Sequence, residues 1–378
     1  MLLTDSAHLI AGKRLGLLTN NTGVDHLGRR DVDLLRAAPG ARLTVLFSPE
    51  HGFRGTEDRS GLPDSRDSAT GLPIYSLYGG SRTAAWAALD SVDVLLIDLQ
   101  DIGARHYTYI ATTVQMMRAA TRAGRRVIVL DRPNPIGGTL VQGNVRARPG
   151  DPDSTFVGFM PVAMRYGMTF GELARMANDV IAIGADLVVV PAAGWKRTMV
   201  YDATGLPWIK PSPNMPTLES AFHYPGTCLF EGTNLSVGRG TAMAFQVVGA
   251  PWLDPAAVIA HMRGSPVRGV EVTATAFTPV APTDGKYPGV PLPGLRFQVR
   301  DRERYDPTEL AASVLAALHA THPAQLQFRA ESFDRLAAGP ELRAAVEAGR
   351  SAREIWQSWT EDLARFRLIR SKYLIYAQ

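Results

Sequence analysis

Cysteine is almost absent from this chain of 378 residues, and this absence limits how the fold can be stabilised. Cys228 is the only cysteine, so no disulfide can form within the chain and no zinc site can be built from several thiolates. No apolar run approaches the roughly 20 residues that cross a bilayer. Residues 1–19 lack the basic start, apolar stretch and cleavage site of an export signal. We therefore expect a cytoplasmic protein without membrane contact, or an exported protein whose signal is missing from this sequence.

Strong charge and nucleotide-binding motifs are also lacking. The formal net charge is +4, and the pI of 9.2 reflects arginines spread along the chain rather than a basic tract. This distribution predicts no nucleic-acid partner. The sequence contains no Gly-x-Gly-x-x-Gly, Walker A or Gly-x-Ser-x-Gly motif, and no histidine pair at metal-binding spacing on a core helix. These absences disfavour nucleotide-binding proteins and serine hydrolases, and they predict neither a cofactor nor a metal ion.

Short apolar strands alternate with amphipathic helices in the first half of the chain, which is the pattern of βαβ units. Continuous apolar strands predict an α/β fold with a Rossmann-like, mostly parallel sheet that helices cover on both faces. The predicted strands are 14–19, 43–47, 92–99, 127–131 and 187–190, and the predicted helices are 31–38, 82–89, 107–123 and 170–183. The length predicts two domains, a Rossmann-like N-terminal domain at 1–210 that carries the catalytic loops and a smaller α/β C-terminal domain at 211–378 that closes the cleft.

The second half of the chain is less regular at its start. Residues 195–241 are rich in proline, glycine and asparagine and too long for an ordinary connection, and they are predicted to form a hinge and part of the active-site wall. Within them, residues 224–241 are predicted to be a long loop-like tract. Strands are predicted at 270–277 and 295–300. A helix is predicted to begin at Asp306-Pro307, because aspartate favours the N-cap position and proline favours the first helical position.

Polar residues follow four of the predicted strands directly. Because ligands bind outside the carboxyl ends of the strands in an open α/β sheet, these four loops are predicted to line one cleft. The four segments are Thr19-Asn20-Asn21-Thr22, Ser48-Pro49-Glu50-His51-Gly52, Asp98-Leu99-Gln100-Asp101 continuing into Gly103-Ala104-Arg105-His106-Tyr107, and Asp131-Arg132-Pro133-Asn134-Pro135.

Three carboxylates in these segments are candidates for catalysis. Glu50 follows a buried strand and stands between a stiff proline and a flexible glycine segment, and partial burial there favours a general acid; the alternative is a loop cap or a pair with Arg54. Asp98 and Asp101, three residues apart, are a second carboxylate, a metal pair or an anchor for loop amides; Asp101 is expected to face the cleft and Asp98 to be buried in its strand. In the tract 224–241, Glu231 and Arg239 are either site residues or parts of a domain connector.

Six motifs taken together resemble the NamZ family of peptidoglycan exo-β-N-acetylmuramidases, and the resemblance covers nearly the whole chain. The motifs are Gly16-Leu17-Leu18-Thr19-Asn20-Asn21-Thr22-Gly23, Ser48-Pro49-Glu50-His51-Gly52, Asp98-Leu99-Gln100-Asp101-Ile102-Gly103-Ala104-Arg105, Leu130-Asp131-Arg132-Pro133-Asn134-Pro135, Ser212-Pro213-Asn214-Met215-Pro216 and Phe230-Glu231-Gly232-Thr233-Asn234. The resemblance implies a Rossmann-like domain, a smaller C-terminal domain and an active site in the cleft between them. It also implies hydrolysis of terminal β-1,4-linked N-acetylmuramic acid without a cofactor, with Glu50 as the catalytic acid.

Glycoside hydrolysis usually needs a second group besides the acid. Asp101 or Glu231 is the predicted second group, and attack by the N-acetyl oxygen of the substrate is the alternative. Arg54, Arg105 and Arg239 are candidates to bind the lactyl carboxylate that distinguishes muramic acid from glucosamine. The remaining predicted substrate-binding residues are Asn20, His51, Gln100, Tyr107, Asn134 and Asn234.

Two other classes of protein stay open at this point. A non-catalytic muropeptide-binding protein would use the same cleft but tolerate Glu50→Gln. A metal-dependent hydrolase, with His51 and His106 beside the carboxylates, would lose activity with a chelator. The glycosidase predicts the opposite result in both tests.

Overall fold

Alternating strands and helices build the first half of the molecule around a seven-stranded sheet. The structure is a computed structural model that describes residues 1–59, 61–78, 82–151 and 155–377. The strand order is β3-β4-β2-β1-β5-β6-β9, and every neighbouring pair is parallel except β3 with β4. The strands are β1 Arg14–Thr19, β2 Arg42–Ser48, β3 Ser65–Arg66, β4 Pro73–Ser76, β5 Val94–Asp98, β6 Arg126–Leu130 and β9 Leu187–Val190. The helices beside them are α1 Asp31–Ala37, α2 Thr83–Ala88, α3 Tyr109–Arg122 and α4 Phe170–Val180.

Both faces of this sheet are buried, as the continuous apolar strands predict. Leu95 and Ile97 of β5 belong to one apolar cluster, whereas Val94 and Leu96 belong to a second cluster on the other face. Successive side chains of a strand point to opposite faces, so one strand contributes to both cores. The predicted fold class, an α/β fold with a mostly parallel sheet, is confirmed.

The order of the strands reverses at β1, which pairs with β2 on one side and with β5 on the other. In open α/β sheets such a reversal opens a crevice at the carboxyl ends of the strands. The loops after β2 and β5 therefore leave the sheet at this crevice. The positions of Glu50 and Tyr107 follow from this topology.

A three-stranded antiparallel sheet, in the order β10-β12-β11, forms the centre of the second half. Its strands are β10 Val247–Gly249, β11 Val270–Phe277 and β12 Leu292–Val299, and a separate hairpin is formed by β7 Gln142–Val145 and β8 Ala163–Arg165. The helices of this half are α5 Leu218–Thr227, α6 Pro255–Met262, α7 Pro307–Thr321, α8 Ala330–Ala337, α9 Glu341–Glu347, α10 Ala352–Gln357 and α11 Thr360–Ser371. The predicted start of α7 is confirmed, because Asp306 accepts hydrogen bonds from the backbone N–H groups of Thr308 and Glu309 at 2.8 and 3.2 Å.

The prediction of a loop-like tract at residues 224–241 is wrong for the last turn of α5 and for the 3₁₀ helix Cys228–Gly232 that continues it. Thr217 caps α5 by accepting a hydrogen bond from the backbone N–H of Ser220 at 3.2 Å. Gly226 lies so close to α7 that a Cβ atom there would overlap the carbonyl oxygen of Pro307. Packing against α7 therefore outweighs the low helix propensity of the Pro225-Gly226 pair.

The end of the chain returns to the first sheet. Tyr376 donates its hydroxyl hydrogen to the Asp131 carboxylate at 2.7 Å, and the backbone N–H of Ile375 donates to Glu172 at 2.8 Å. Residues after about 360 thus pack against the first half of the molecule, and α11 lies beside β7. The division at residue 210 stays a prediction.

Candidate active site

A small pocket lies at the crevice, between the loops after β2 and β5 and the α5 segment of the second half. It has a volume of about 140 Å³. Its lining residues are Glu50, His51, Asp58, His106, Tyr107, Thr108, Val157, Ser212, Asn214, Tyr224, Cys228, Glu231, Arg239, Phe245 and Leu336. Five residues predicted from the sequence for the site, Glu50, His51, Tyr107, Glu231 and Arg239, are therefore in one place.

A larger cavity of about 580 Å³ lies near the carboxyl ends of β6 and β9. Trp195 and Met199 line one part of it, and the ion pair of Arg132 with Asp98 lines another. Apart from Asp98, which is held by its ion pair with Arg132, no residue predicted for catalysis or substrate binding borders this cavity. We therefore place the candidate active site in the smaller pocket.

Glu50 follows β2 by two residues and is half-buried at the pocket. The hydroxyl of Thr108, the residue before α3, donates a hydrogen bond to Oε2 of Glu50. The Tyr78 hydroxyl also bonds to Glu50, and burial together with the Glu50 charge raises the pKa of Tyr78. Two neutral hydroxyls therefore fix the orientation of this carboxyl group.

Arg239 forms the positive centre of the pocket, between two carboxylates. Its Nε lies 2.5 Å from Oε1 of Glu231, and Nη1 lies 3.3 Å from Oδ2 of Asp58. Burial opposes the charge on Arg239, but Glu231 and Asp58 more than offset that effect and raise the pKa of the guanidinium. Arg239 is the only lysine or arginine among the described residues that line the pocket. Its Nη2 makes no hydrogen bond within the part of the chain that the structure describes.

Asp58 joins the two halves of the molecule beside His51. Its Oδ2 accepts hydrogen bonds from Nδ2 of Asn214 at 2.6 Å and from the Thr283 hydroxyl, in addition to Arg239. Its Oδ1 faces Nδ1 of His51 at 3.5 Å. That nitrogen is also 2.7 Å from the carbonyl oxygen of Glu57.

His106 and Cys228 are neutral parts of the pocket wall. Burial lowers the pKa of His106 to about 3, and its Nε2 donates to the carbonyl oxygen of Leu336 at 3.0 Å. Burial raises the pKa of the Cys228 thiol, which lies 3.5 Å from Oε2 of Glu231. The aromatic ring of Tyr107 stands edge-on to that of Tyr224, with 6.0 Å between centroids.

Asp101, the other predicted second carboxylate, lies outside the pocket in a buried network. Its Oδ2 accepts from the Tyr166 hydroxyl and from the backbone N–H of Gly103, the latter at 2.8 Å. Burial raises the pKa of Asp101 to about 6, although these two hydrogen bonds act in the opposite direction. This geometry corresponds to the loop anchor, which the sequence left as an alternative.

Six predicted substrate-binding residues also lie outside the pocket, and five of them make hydrogen bonds within the protein instead. The guanidinium of Arg105 donates to the carbonyl oxygens of Asn144, Val162 and Leu336. The Asn20 amide donates to the Tyr109 hydroxyl, and the Gln100 amide donates to the carbonyl oxygens of Asp101 and Pro133. The amides of Asn134 and Asn234 donate to the carbonyl oxygens of Met168 and Gln325, respectively. Arg54 is exposed and borders two neighbouring grooves.

Most of the other pocket residues were not predicted from the sequence, among them Asp58, Thr108 and Asn214. Asp58 lies in a turn-rich segment without a motif, and Thr108 follows the Arg105-His106-Tyr107 segment. Asn214 belongs to the Ser-Pro-Asn-Met-Pro motif, which could have indicated it. In the part of the chain that the structure describes, no group of three or more His, Cys, Asp or Glu residues is arranged to hold a metal ion. No helix among the described residues is long and apolar enough to span a membrane.

Comparisons with known proteins match nearly the whole chain. The family model described as exo-beta-N-acetylmuramidase NamZ, N-terminal, matches residues 15–219, and the C-terminal model matches residues 222–376. The chain is 41% identical over 378 residues to the peptidoglycan beta-N-acetylmuramidase NamZ of Bacillus subtilis strain 168, which covers 99% of this chain and 90% of that protein.

Two crystal structures from Bacteroides fragilis NCTC 9343 have the same fold, and both proteins are described as members of the DUF1343 family. One, BF0371, superposes with a TM-score of 0.90 at 34% identity, and the match covers 100% of this chain and 97% of the other. The other, BF0379, has a TM-score of 0.75 at 30% identity, with 99% and 98% covered.

Proposed function

This chain belongs to the NamZ family of exo-β-N-acetylmuramidases and is a glycosidase, and we propose that its small pocket hydrolyses terminal N-acetylmuramic acid from peptidoglycan fragments with Glu50 as the acid. The observation that carries the assignment of the acid is the position of Glu50. It follows the strand β2 next to the reversal of the sheet, faces the pocket and is half-buried. A carboxylic acid in such a place can protonate the leaving oxygen of a glycosidic bond.

The contacts of Glu50 support this role. The hydroxyls of Thr108 and Tyr78 hold the carboxyl group from two directions. Neither neighbour carries a charge, so the carboxyl group can lose and regain a proton without breaking an ion pair. An orientation fixed in advance lowers the entropic cost of reaching the transition state.

The lactyl carboxylate of muramic acid is assigned to Arg239. Both Arg54 and Arg105 lie outside the pocket, so Arg239 supplies the guanidinium that can meet an anion there. Glu231 and Asp58 hold Nε and Nη1, which leaves Nη2 free to donate to the substrate. A substrate without the lactyl group leaves this donor unpaired, and a site built in this way rejects such a substrate.

Glu231 and Asp101 are assigned positioning roles. One oxygen of Glu231 bonds to Arg239 and the other faces the Cys228 thiol, so both oxygens are already in use. Asp101 is turned toward Tyr166 and Gly103, away from the pocket. Glu231 thus fixes the guanidinium, and Asp101 fixes the loop after β5.

The test compares wild-type turnover of p-nitrophenyl β-N-acetylmuraminide and p-nitrophenyl β-N-acetylglucosaminide, each with and without EDTA. The proposal predicts turnover that prefers the muraminide and resists EDTA. Binding of muropeptides without cleavage of either sugar would favour a binding protein. Loss of turnover with EDTA would favour a metal-dependent hydrolase.

A further inference from the structure

We propose that Nε2 of His51 is the base that takes a proton from the hydrolytic water, an inference that rests on the proposed glycosidase function. The ring of His51 lines the same pocket as Glu50, the next residue in the chain. Its side chain is 12% exposed, so it is shielded from bulk solvent but can be reached from the pocket.

The hydrogen bonds of His51 determine which ring nitrogen can act. Nδ1 lies 2.7 Å from the carbonyl oxygen of Glu57. A carbonyl oxygen only accepts hydrogen bonds, so Nδ1 carries the hydrogen and the neutral ring has its lone pair on Nε2. Nε2 has no hydrogen-bond partner among the residues that the structure describes, so its lone pair is available to a water molecule.

Asp58 supports this tautomer from the same side. Its Oδ1 faces Nδ1 at 3.5 Å, which favours the positive ring that forms when Nε2 takes a proton. Asn214, Thr283 and Arg239 hold the other oxygen of Asp58. The orientation of His51 therefore depends on contacts from the second half of the molecule. His51 is in position to act as the base only when the two halves pack together.

The backbone of His51 is strained in a way that suits a functional residue. Its φ angle is +69°, a conformation that costs energy for a residue with a Cβ atom. Gly52 follows with φ +74° and donates its N–H to the carbonyl oxygen of Pro49 at 3.1 Å. This tight turn directs the His51 side chain toward Glu57 and Asp58, beside the acid.

The proposed step balances in atoms and charge. The water oxygen forms a bond to C1 of the sugar, and the bond between C1 and the glycosidic oxygen breaks. Glu50 gives its proton to the leaving oxygen, and Nε2 of His51 takes a proton from the water. Transfer of that proton through solvent to the Glu50 carboxylate restores both groups. A direct displacement of this kind inverts the anomeric centre.

The experiment uses the variant His51→Gly in the full-length protein. Glycine adopts a positive φ without strain, so the variant should fold with an unfolding temperature no lower than that of the wild type. General base catalysis contributes roughly 10²–10⁴-fold, so kcat for the muraminide should fall by about that factor while KM changes little. Added imidazole should restore part of kcat, because the missing side chain leaves room for it.

His51→Asn is the matched control, because asparagine tolerates a positive φ but has no atom at the place of Nε2. It should be as slow as His51→Gly and should gain nothing from imidazole. The first sugar that the wild type releases should be the α-anomer by NMR. Full kcat in His51→Gly, a loss confined to KM, or release of the β-anomer first would overturn the inference while leaving the glycosidase in place. A wild-type protein that cleaves no muraminide would overturn the proposed function itself.

Discussion

Replacement of Arg239 by lysine tests the recognition of the lactyl group without leaving the pocket carboxylates unpaired. Lysine keeps a positive charge between Glu231 and Asp58 but lacks the planar fork that holds Nε and Nη1 in place and leaves Nη2 for the substrate. Arg239→Lys should therefore stay folded. The loss should appear in the reaction of the substrate that carries the lactyl carboxylate.

The size of the effect follows from the contact that is lost. A hydrogen bond to a charged group is worth about 1.5–3 kcal/mol, which corresponds to roughly 10- to 150-fold in kcat/KM. We expect kcat/KM for the muraminide to fall by about that factor and kcat/KM for the glucosaminide to change less than about threefold. The ratio of the two substrates, measured by release of p-nitrophenol, is the quantity to compare.

The control is Arg126→Lys, because Arg126 is exposed and pairs with Asp186 on the surface. This variant should leave both rates unchanged. An equal loss on both substrates in Arg239→Lys would show that the residue only maintains the pocket. An unchanged ratio of the two kcat/KM values with full activity would show that the lactyl group is bound elsewhere, and either result would refute the assignment.

Two buried carboxylates outside the pocket, Asp101 and Glu172, allow predictions about the free energy of unfolding. Burial raises the pKa of Asp101 to about 6, so its contribution to the free energy of unfolding is complete below about pH 4 and is lost as the pH rises through 6. Asp101→Asn does not titrate. In urea unfolding, its free energy of unfolding should therefore rise by about 3 kcal/mol relative to the wild type between pH 4 and 7. An equal pH dependence in both proteins would contradict the raised pKa. Glu172→Gln removes the buried carboxylate that pairs with Arg197, and it should lower the free energy of unfolding by about 3–5 kcal/mol in the same assay. A loss under about 1 kcal/mol would mean that the pair contributes little.

Much of the first sheet could be predicted because its strands are apolar throughout. Strands β1 and β9 begin and end where the sequence placed them, and β2, β5 and β6 differ only at their ends. The parallel order follows from the helices between them. The place of Glu50 follows in turn, because a residue directly after a strand lies at the carboxyl edge.

The direction of each polar side chain could not be predicted in the same way. Asn134 and Gln100 follow strands just as Glu50 does, yet both point into the protein and bond to carbonyl oxygens. Gly103 explains part of this, because its missing Cβ leaves room for the Asn134 amide. A polar residue after a strand can anchor a loop or face a ligand, and only the packed structure distinguishes the two.

The contacts that the second half of the molecule makes at the pocket could not be predicted from the sequence either. Thr283 and Asn214 reach Asp58 across more than 150 positions of the chain, and no local pattern indicates such contacts. Helix α5 was missed because Pro225 and Gly226 suggest a loop, whereas its packing against α7 stabilises a helix. Contacts between residues far apart in the chain determine both the surroundings of Asp58 and the helical conformation of α5.

The most direct test of the glycosidase mechanism is the release of N-acetylmuramic acid from a disaccharide in which it is β-1,4-linked to N-acetylglucosamine, because a sugar leaving group, unlike p-nitrophenol, needs a proton; Glu50→Gln is compared with Glu361→Gln as the matched control. Glutamine keeps the shape of the side chain and can still bond to Thr108, but it cannot give a proton to the leaving oxygen. Glu361 lies on α11 with its side chain 88% exposed, so its variant should react like the wild type. We expect kcat to fall by about 10²–10⁴-fold in Glu50→Gln while the protein stays folded. Wild-type turnover in a folded Glu50→Gln protein would contradict the assignment of Glu50 as the acid.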